Sequence, residues 1–287
     1  MTAMVPRASY LGVFLTFARN SLVRNMMFRA NFLIECLSSV TWTMMNLGFY
    51  LLIFRYTSSI GKNTGWGEWE FFAFLATTML VNSLVQAFFM PNCEDISELI
   101  RTGGLDFALL KPIDTQFLIS LEKVDWSSLA NFIAGCILLC VSLFHLTTQP
   151  DHPLHLNPLM VLLYIFYVLC GVAILYSLMI GLSATSIWLG QNSSLYDFWF
   201  YITNFSRYPM EIYSGAYGTP LRLACTFIVP VLIVVNVPAQ IIARPIDPNG
   251  NSVWPLAAFA LFATAASLIA ARLVFVSALK SYRSASS

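Results

Sequence analysis

The chain has 287 residues, 58% of them hydrophobic and 10% charged, with a net charge of +1. An average soluble domain is roughly 25% charged, so this composition excludes an ordinary soluble fold. The absence of a basic patch excludes nucleic acid as a partner. The apolar segments are long runs of the length a helix needs to cross hydrocarbon, which predicts an all-α polytopic membrane protein. No basic stretch with a short apolar core and an A-x-A site opens the sequence, so the first membrane helix is expected to do the targeting.

Residues 8–29 mix aromatic and aliphatic side chains with Arg19, Arg24 and Arg29 and contain no acid, the pattern of an interfacial helix. Arg7 joins these three ahead of the first span, Asn31 to Phe54, and the positive-inside bias puts the N-terminus in the cytoplasm. A polar external loop with Trp66 and Trp69 leads to a second span, Phe71 to Met90, stopped by Pro91. The third span is expected at Ser127 to Leu146, a Pro-rich external turn follows, and the fourth covers Leu159 to Leu182.

Two stretches then compete for one crossing: Ser186 to Tyr208, and Leu221 to Ile242 with internal Pro230 and Pro238. The last span, Val253 to Ser277, is followed by Lys280 and Arg283, which favour a cytoplasmic C-terminus, so parity allows a single full crossing. The prolines and Asn236 suit a re-entrant element, because irregular backbone at membrane depth survives only inside protein or beside a wet cavity. The expectation is six spans, the fifth at 186–208, a re-entrant external hairpin within 209–243 before the last helix, and one membrane domain over 1–287.

Residues 92–125 hold ten of the 29 charged side chains, seven of them acids. Asn92 is expected to cap a short amphipathic helix with Ile96, Leu99 and Ile100 on one face, Glu94, Asp95, Glu98 and Arg101 on the others, and Gly103 and Gly104 at its end. Its apolar face needs a partner: the membrane surface, its own bundle or another protein. Anionic lipid repels an acidic helix, which disfavours the first.

Catalytic motifs are missing. A phosphate-cradling loop needs G-x-x-x-x-G-K-[ST], and the one Gly-Lys pair, Gly61-Lys62, has Tyr56 in place of the first Gly and Asn63 in place of Ser or Thr. A G-x-S-x-G elbow is absent too, Gly181 being followed by Leu182, Ser183, Ala184 and Thr185. His145, His152 and His155 lie in or beside a Pro-rich turn without metal-ligand spacing, and the six cysteines form no CxxC pair. The intramembrane ionisable candidates are Glu35, His145 and Asp197, and Glu35 reads either as a structural partner of Arg29 or as a gate. Asn46, Asn82, Gln86, Asn131, Gln191 and Asn192 either line a route or bond neighbouring helices.

The runs IRTGGLDFALLKPID, FSRYPMEIYSGAYGTPLRLACTFIVPVLIVVNVPAQII and the C-terminal SYRSASS resemble the permease subunits of bacterial ABC-2 type exporters, and more narrowly the short six-span permeases without an ATPase of their own. The resemblance implies an interfacial helix, six spans, a coupling helix between spans two and three, and re-entrant helices before the last span. Carried over by position, it implies an ATPase contact over Glu94 to Leu110 that includes Glu94, Asp95 and Leu109, with Ile96, Leu99 and Ile100 entering a groove on the ATPase and Glu98, Arg101 and Asp106 flanking it. Glu35, Asn82, Gln86, Asn131, Pro230 and Asn236 stand as candidates for the path or its gate. The implied partners are two ABC ATPase subunits carrying ATP and Mg, a second permease, identical or related, and lipid, with no cofactor in this chain. The implied location is the bacterial inner membrane, both termini inside. An ion-coupled transporter acting alone is the alternative.

Overall fold

Where no water is at hand, backbone groups must bond within their own segment, and helices do this residue by residue. The computed structural model describes residues 9–61, 64–149, 154–189, 197, 200–201, 204–244 and 253–282. Among them, all regular structure is helical: α1 (Tyr10–Met27), α2 (Arg29–Phe54), α3 (Glu68–Phe88), α4 (Met90–Arg101), α5 (Gly104–Leu109), α6 (Thr115–Leu121), α7 (Leu129–Thr148), α8 (Pro158–Leu189), α9 (Gly215–Leu223), α10 (Leu232–Ala243) and α11 (Trp254–Ser281). Five helices among the described residues are long and apolar enough to cross a membrane, α3 running on into α4 for this purpose. A sixth candidate is the pair formed by α9, extended through a π-helical turn at Ala224–Ile228, and α10, bent by 90°.

Local chemistry explains the boundaries. Glu70 reaches back to the Gly67 N–H at 3.1 Å and closes the start of α3. Asp114 caps α6 by accepting from the Phe117 N–H at 3.0 Å. Gly103, at φ 74°, stops α4 in the left-handed region that glycine enters without penalty.

α3 is the central helix. In its apolar stretch 72% is buried, against 6% for α2. It packs on α7, α8 and α10, while α8 packs on α11 and α10. Gly171 permits the closest approach: a Cβ there would stand 2.7 Å from the Val234 carbonyl oxygen of α10. α2 leans on α7 and α1. It meets α3 where Tyr50 and Phe54 touch Phe71 and Phe72, with ring centroids 4.9 to 5.8 Å apart, and stands away from it elsewhere.

Contacts sort the elements to two ends of the bundle. α1 bonds the segment after α6, through Trp126 Nε1 to the Ala18 carbonyl (3.1 Å) and the Val124 N–H to Ser21 Oγ (3.1 Å). The C-terminal parts of α8 and α11 reach the same end, Ser186 meeting Ser97 of α4 at 3.0 Å and Arg272 meeting Asp114. Glu211 and Arg244, before α9 and after α10, both bond residues 64–66 at the opposite end. Glu211 and Arg244, which flank the bent pair, thus stand together at that end.

Three expectations are corrected. The fourth span does not stop at Leu182, because α8 continues to Leu189 and absorbs the start of the expected fifth span. The remainder of 186–208 lies mostly outside the described residues. α3 ends at Phe88, near the expected Met90, but Pro91 does not stop the helical run: it sits in the first turn of α4, where a missing N–H is tolerated, and the helix restarts at Met90. Asn92 is therefore no cap. It is buried, donating to the carbonyls of Phe88 (2.9 Å) and Lys123 (2.7 Å) and accepting from the Lys123 N–H (2.8 Å).

Candidate functional site

The charged loop presents a different face from the one its periodicity suggested. Ile96 is 2% exposed, and Leu99 and Ile100 pack partly against the same core, so the apolar face of α4 is covered by its own bundle. In this structure Ile96 is packed into its own bundle rather than presented to another protein. Gly103 breaks the helix, α5 sets off afresh, and Leu105 and Ala108 turn inward. Phe107 (71% exposed), Leu109 and Leu110 (81%) are left outside, followed by Lys111. Glu98 and Arg101 are exposed beside them and bonded to each other, Arg101 Nη2 to Glu98 Oε1 at 2.7 Å. Glu94 is also exposed, Asp95 is paired with Lys123, and Asp106 is half-buried. Exposed apolar side chains ringed by charge are what a docking surface needs.

This surface is fastened to the spans. Arg272 of α11 donates to both oxygens of Asp114, at 2.6 and 3.2 Å, and to Gln116 Oε1 at 2.9 Å. Gln116 Nε2 donates to the Tyr176 hydroxyl of α8 at 3.0 Å, and Ser120 shares that hydroxyl at 2.9 Å. Burial pushes the Asp114 carboxyl up, but the Arg272 hydrogen bond, the Phe117 N–H and the guanidinium charge outweigh it and hold the group below its ordinary value. The Asn92–Lys123 bonds close the loop from within.

A second feature lies between α2, α3 and α7. There a slit of about 180 Å³ collects Thr43, Asn46, Thr78, Asn82, Ser83, Gln86 and Asn131, with Arg207 and Tyr50 toward the opposite end. Three of the six path candidates, Asn82, Gln86 and Asn131, are thus brought together. Thr43 Oγ1 bonds Asn131 Oδ1 at 3.2 Å, whereas Asn82 Oδ1 is buried without a partner among the described residues.

The other three candidates stand elsewhere. Glu35 is exposed on α2 and accepts from Asn31 at 2.7 Å, so neither Arg29 nor the slit engages it. Pro230 sits at the break between the π turn and α10. Asn236 is fully buried and ties the chain together, its Oδ1 accepting from the Met210 N–H (2.9 Å) and its Nδ2 donating to the Leu232 carbonyl (2.7 Å). His145 stacks on Trp69 at 3.8 Å, Asp197 is exposed, and no metal-binding cluster occurs among the described residues.

At the opposite end a network joins residues 64–70 to the bent pair. The buried Arg244 lies 5.1 Å over the Trp66 ring, donates to the Thr64 carbonyl (3.3 Å) and approaches Glu70 (3.7 Å). Trp66 Nε1 and Gln240 Nε2 donate to the two oxygens of Glu211, at 3.0 and 2.9 Å. Phe107 and Leu110 fall inside the expected contact but had no role of their own there, and Arg207, Arg244 and Arg272 were not singled out from the sequence. The apolar residues Phe107, Leu109 and Leu110 shortly after the Gly103-Gly104 break were the available signal for the first two, and the arginines gave none.

A family model described as ABC-2 family transporter protein matches residues 40–286, which takes in the loop surface, the slit and the bent pair. No curated protein matches the chain, and no solved structure does.

Proposed function

From the membership of this chain in the ABC-2 transporter family, which makes it a multi-pass membrane permease, we propose that it is the membrane subunit of an ATP-binding-cassette exporter driven by separate ATPase subunits. Two ATPases carrying ATP and Mg engage two permeases, identical or related, and the slit and its surroundings alternate between inward and outward access. The observation that carries this reading is the exposed Phe107–Leu110 ridge on a loop fastened to three separate elements. Such a loop passes on a push from outside, since Arg272 couples it to α11, Tyr176 to α8, and Ser21 and Ala18 to α1. α1 leads into α2 at Phe28, so the loosely packed wall of the slit lies on the same line of transmission.

The loop end is cytoplasmic in this reading, supported by Arg19, Arg24 and Arg29 gathered there. The bent pair is a re-entrant hairpin whose Arg244–Trp66–Glu211 network caps the external side. The termini are inside, and no cofactor resides in this chain. The ion-coupled alternative gains no support from the slit, whose lining contains no carboxylate among the described residues. Isolation of the chain from its native membrane tests the proposal: an ABC ATPase subunit is expected to accompany it, and the complex to hydrolyse ATP. A chain recovered without such a subunit, and transporting against an ion gradient after deletion of the ATPase gene, overturns it.

A further inference from the structure

The slit does not end at its polar wall. An apolar pocket of about 390 Å³ between α2 and α7 adjoins it, and Thr43, Leu47, Met79 and Leu138 line both. On the pocket side the surface is hydrocarbon-like, built by Val40, Met44, Ile133, Ile137 and Val141. On the slit side hydrogen-bonding capacity is left over. Asn82 Oδ1 is buried without a partner among the described residues, and the polar side chains of Gln86 and Arg207 line the same space. Asn46 uses its amide nitrogen on the Trp42 carbonyl and keeps its oxygen.

A buried polar group without a partner costs free energy, so side chains arranged this way suit a guest that supplies both donors and acceptors. The guest's charge is also indicated. Among the described residues no acid lines the slit and its one cation is Arg207, near the external aromatic closure at Tyr50. Leu75 and Gln86 mark the slit's extent along α3, about 16 Å at 1.5 Å per residue, roughly half the thickness of the hydrocarbon core. A helix from a second copy, about 10 Å across, is too wide for so narrow a space.

We infer that the slit and pocket together bind an anionic amphiphile, its hydrogen-bonding headgroup in the slit and its hydrocarbon chain in the pocket between α2 and α7, and that this is the class of molecule the permease moves. The statement about cargo rests on the permease reading; the statement about binding does not. The headgroup travels along Gln86, Asn131, Asn82 and Asn46 toward Arg207, while the chain stays among apolar side chains and lipid.

Binding is tested on the full chain in detergent, by native mass spectrometry with phosphatidylglycerol, phosphatidylcholine and glycerol phosphate as probes. Phosphatidylglycerol is expected to be retained about tenfold or more over phosphatidylcholine, the effect of one charge-assisted contact. Arg207→Gln is expected to bring that ratio near one, and Arg207→Lys to keep most of it, which separates lost charge from lost fold. Ile137→Trp, which fills the pocket, should weaken both lipids. Glycerol phosphate, a head without a chain, should not be retained.

An unchanged ratio in Arg207→Gln, or retention unaffected by Ile137→Trp, overturns the site. So does efficient disulfide crosslinking between two copies carrying Asn82→Cys, since a protein segment would then fill the slit. The cargo statement is read separately, on the complex with its ATPase: phosphatidylglycerol should stimulate ATP hydrolysis in the native complex and not in Ile137→Trp. Binding without stimulation reduces the site to one for structural lipid and leaves the permease reading intact. A complex without any ATP hydrolysis removes the permease reading while leaving the binding result standing.

Discussion

Removing Phe107 and Leu110 together separates the two faces of the charged loop. Fully burying a side chain of this size contributes about 1.5 to 3 kcal/mol. With Phe107 71% and Leu110 81% exposed in the free permease, docking gains about 1 to 2 kcal/mol from each. The double variant Phe107→Ala/Leu110→Ala is therefore expected to weaken the ATPase by about 2 to 4 kcal/mol, or about 30-fold to 700-fold in Kd. Neither side chain contributes to the core, so the thermal melt of the permease should hardly change. The assay is a titration of purified ATPase subunit onto detergent-solubilised permease, with melting followed in parallel. Ile96→Ala provides the contrast: at 2% exposure it should destabilise the fold by about 2 to 5 kcal/mol and leave the Kd of the folded fraction within a few-fold. If the Phe107/Leu110 variant binds like the native chain while Leu99→Ala or Ile100→Ala releases the ATPase, the argument from exposure is wrong and the loop turns itself over on docking.

Two further outcomes follow from the packing. Because the Asp114 carboxyl is held below its ordinary value of 3.8, the fold favours its ionised form. The contact with Arg272 is complete above that value and is lost as pH falls through the depressed one. In melting curves, Asp114→Asn should sit below the native chain by about 1 kcal/mol or less from pH 5 to 8, with the gap closing as pH drops below about 4. A gap of the same size at pH 3, or one that survives in an Arg272→Gln background, would falsify the assignment to this pair. Gly171→Ala places a Cβ 2.7 Å from the Val234 carbonyl oxygen and 3.0 Å from Val234 Cγ1. A backbone oxygen cannot rotate away, so α8 and α10 must part, at about 1 to 3 kcal/mol. Gly181→Ala meets nothing within 4 Å and is the control; equal melting of the two variants would show that this contact does not set the α8–α10 distance.

What the sequence made legible was what hydrophobic runs determine by length. α2, α3, α7 and α11 lie close to their expected limits because a run of about 20 apolar residues in a membrane has few other places to go. The same signal failed at α8, whose last turns carry Ser183, Thr185 and Ser186. These polar groups dilute the run, yet two of them are satisfied inside the fold, Thr185 by the Leu182 carbonyl and Ser186 by Ser97. In the charged loop, amphipathic spacing correctly said that Ile96, Leu99 and Ile100 need a partner, but spacing carries no information on which partner. The helix break at Gly103 was readable. The inward turn of Leu105 and Ala108, and with it the exposure of Phe107 and Leu110, depends on what α4 and α6 leave open.

The ties that give the loop a use are longer in range still. Asp114 and Arg272 are 158 residues apart, and Val124 and Ser21 are 103 apart. Each partner alone is an ordinary charge or hydroxyl near a span end, so no local pattern marks it. The slit shows the same division. Asn82, Gln86 and Asn131 were readable as amides in apolar helices, which must either bond one another or face something polar. In the structure Asn131 is met by Thr43, Asn82 is left with a bare oxygen among the described residues, and Arg207, drawn in from a distant segment, gives the space its sign of charge.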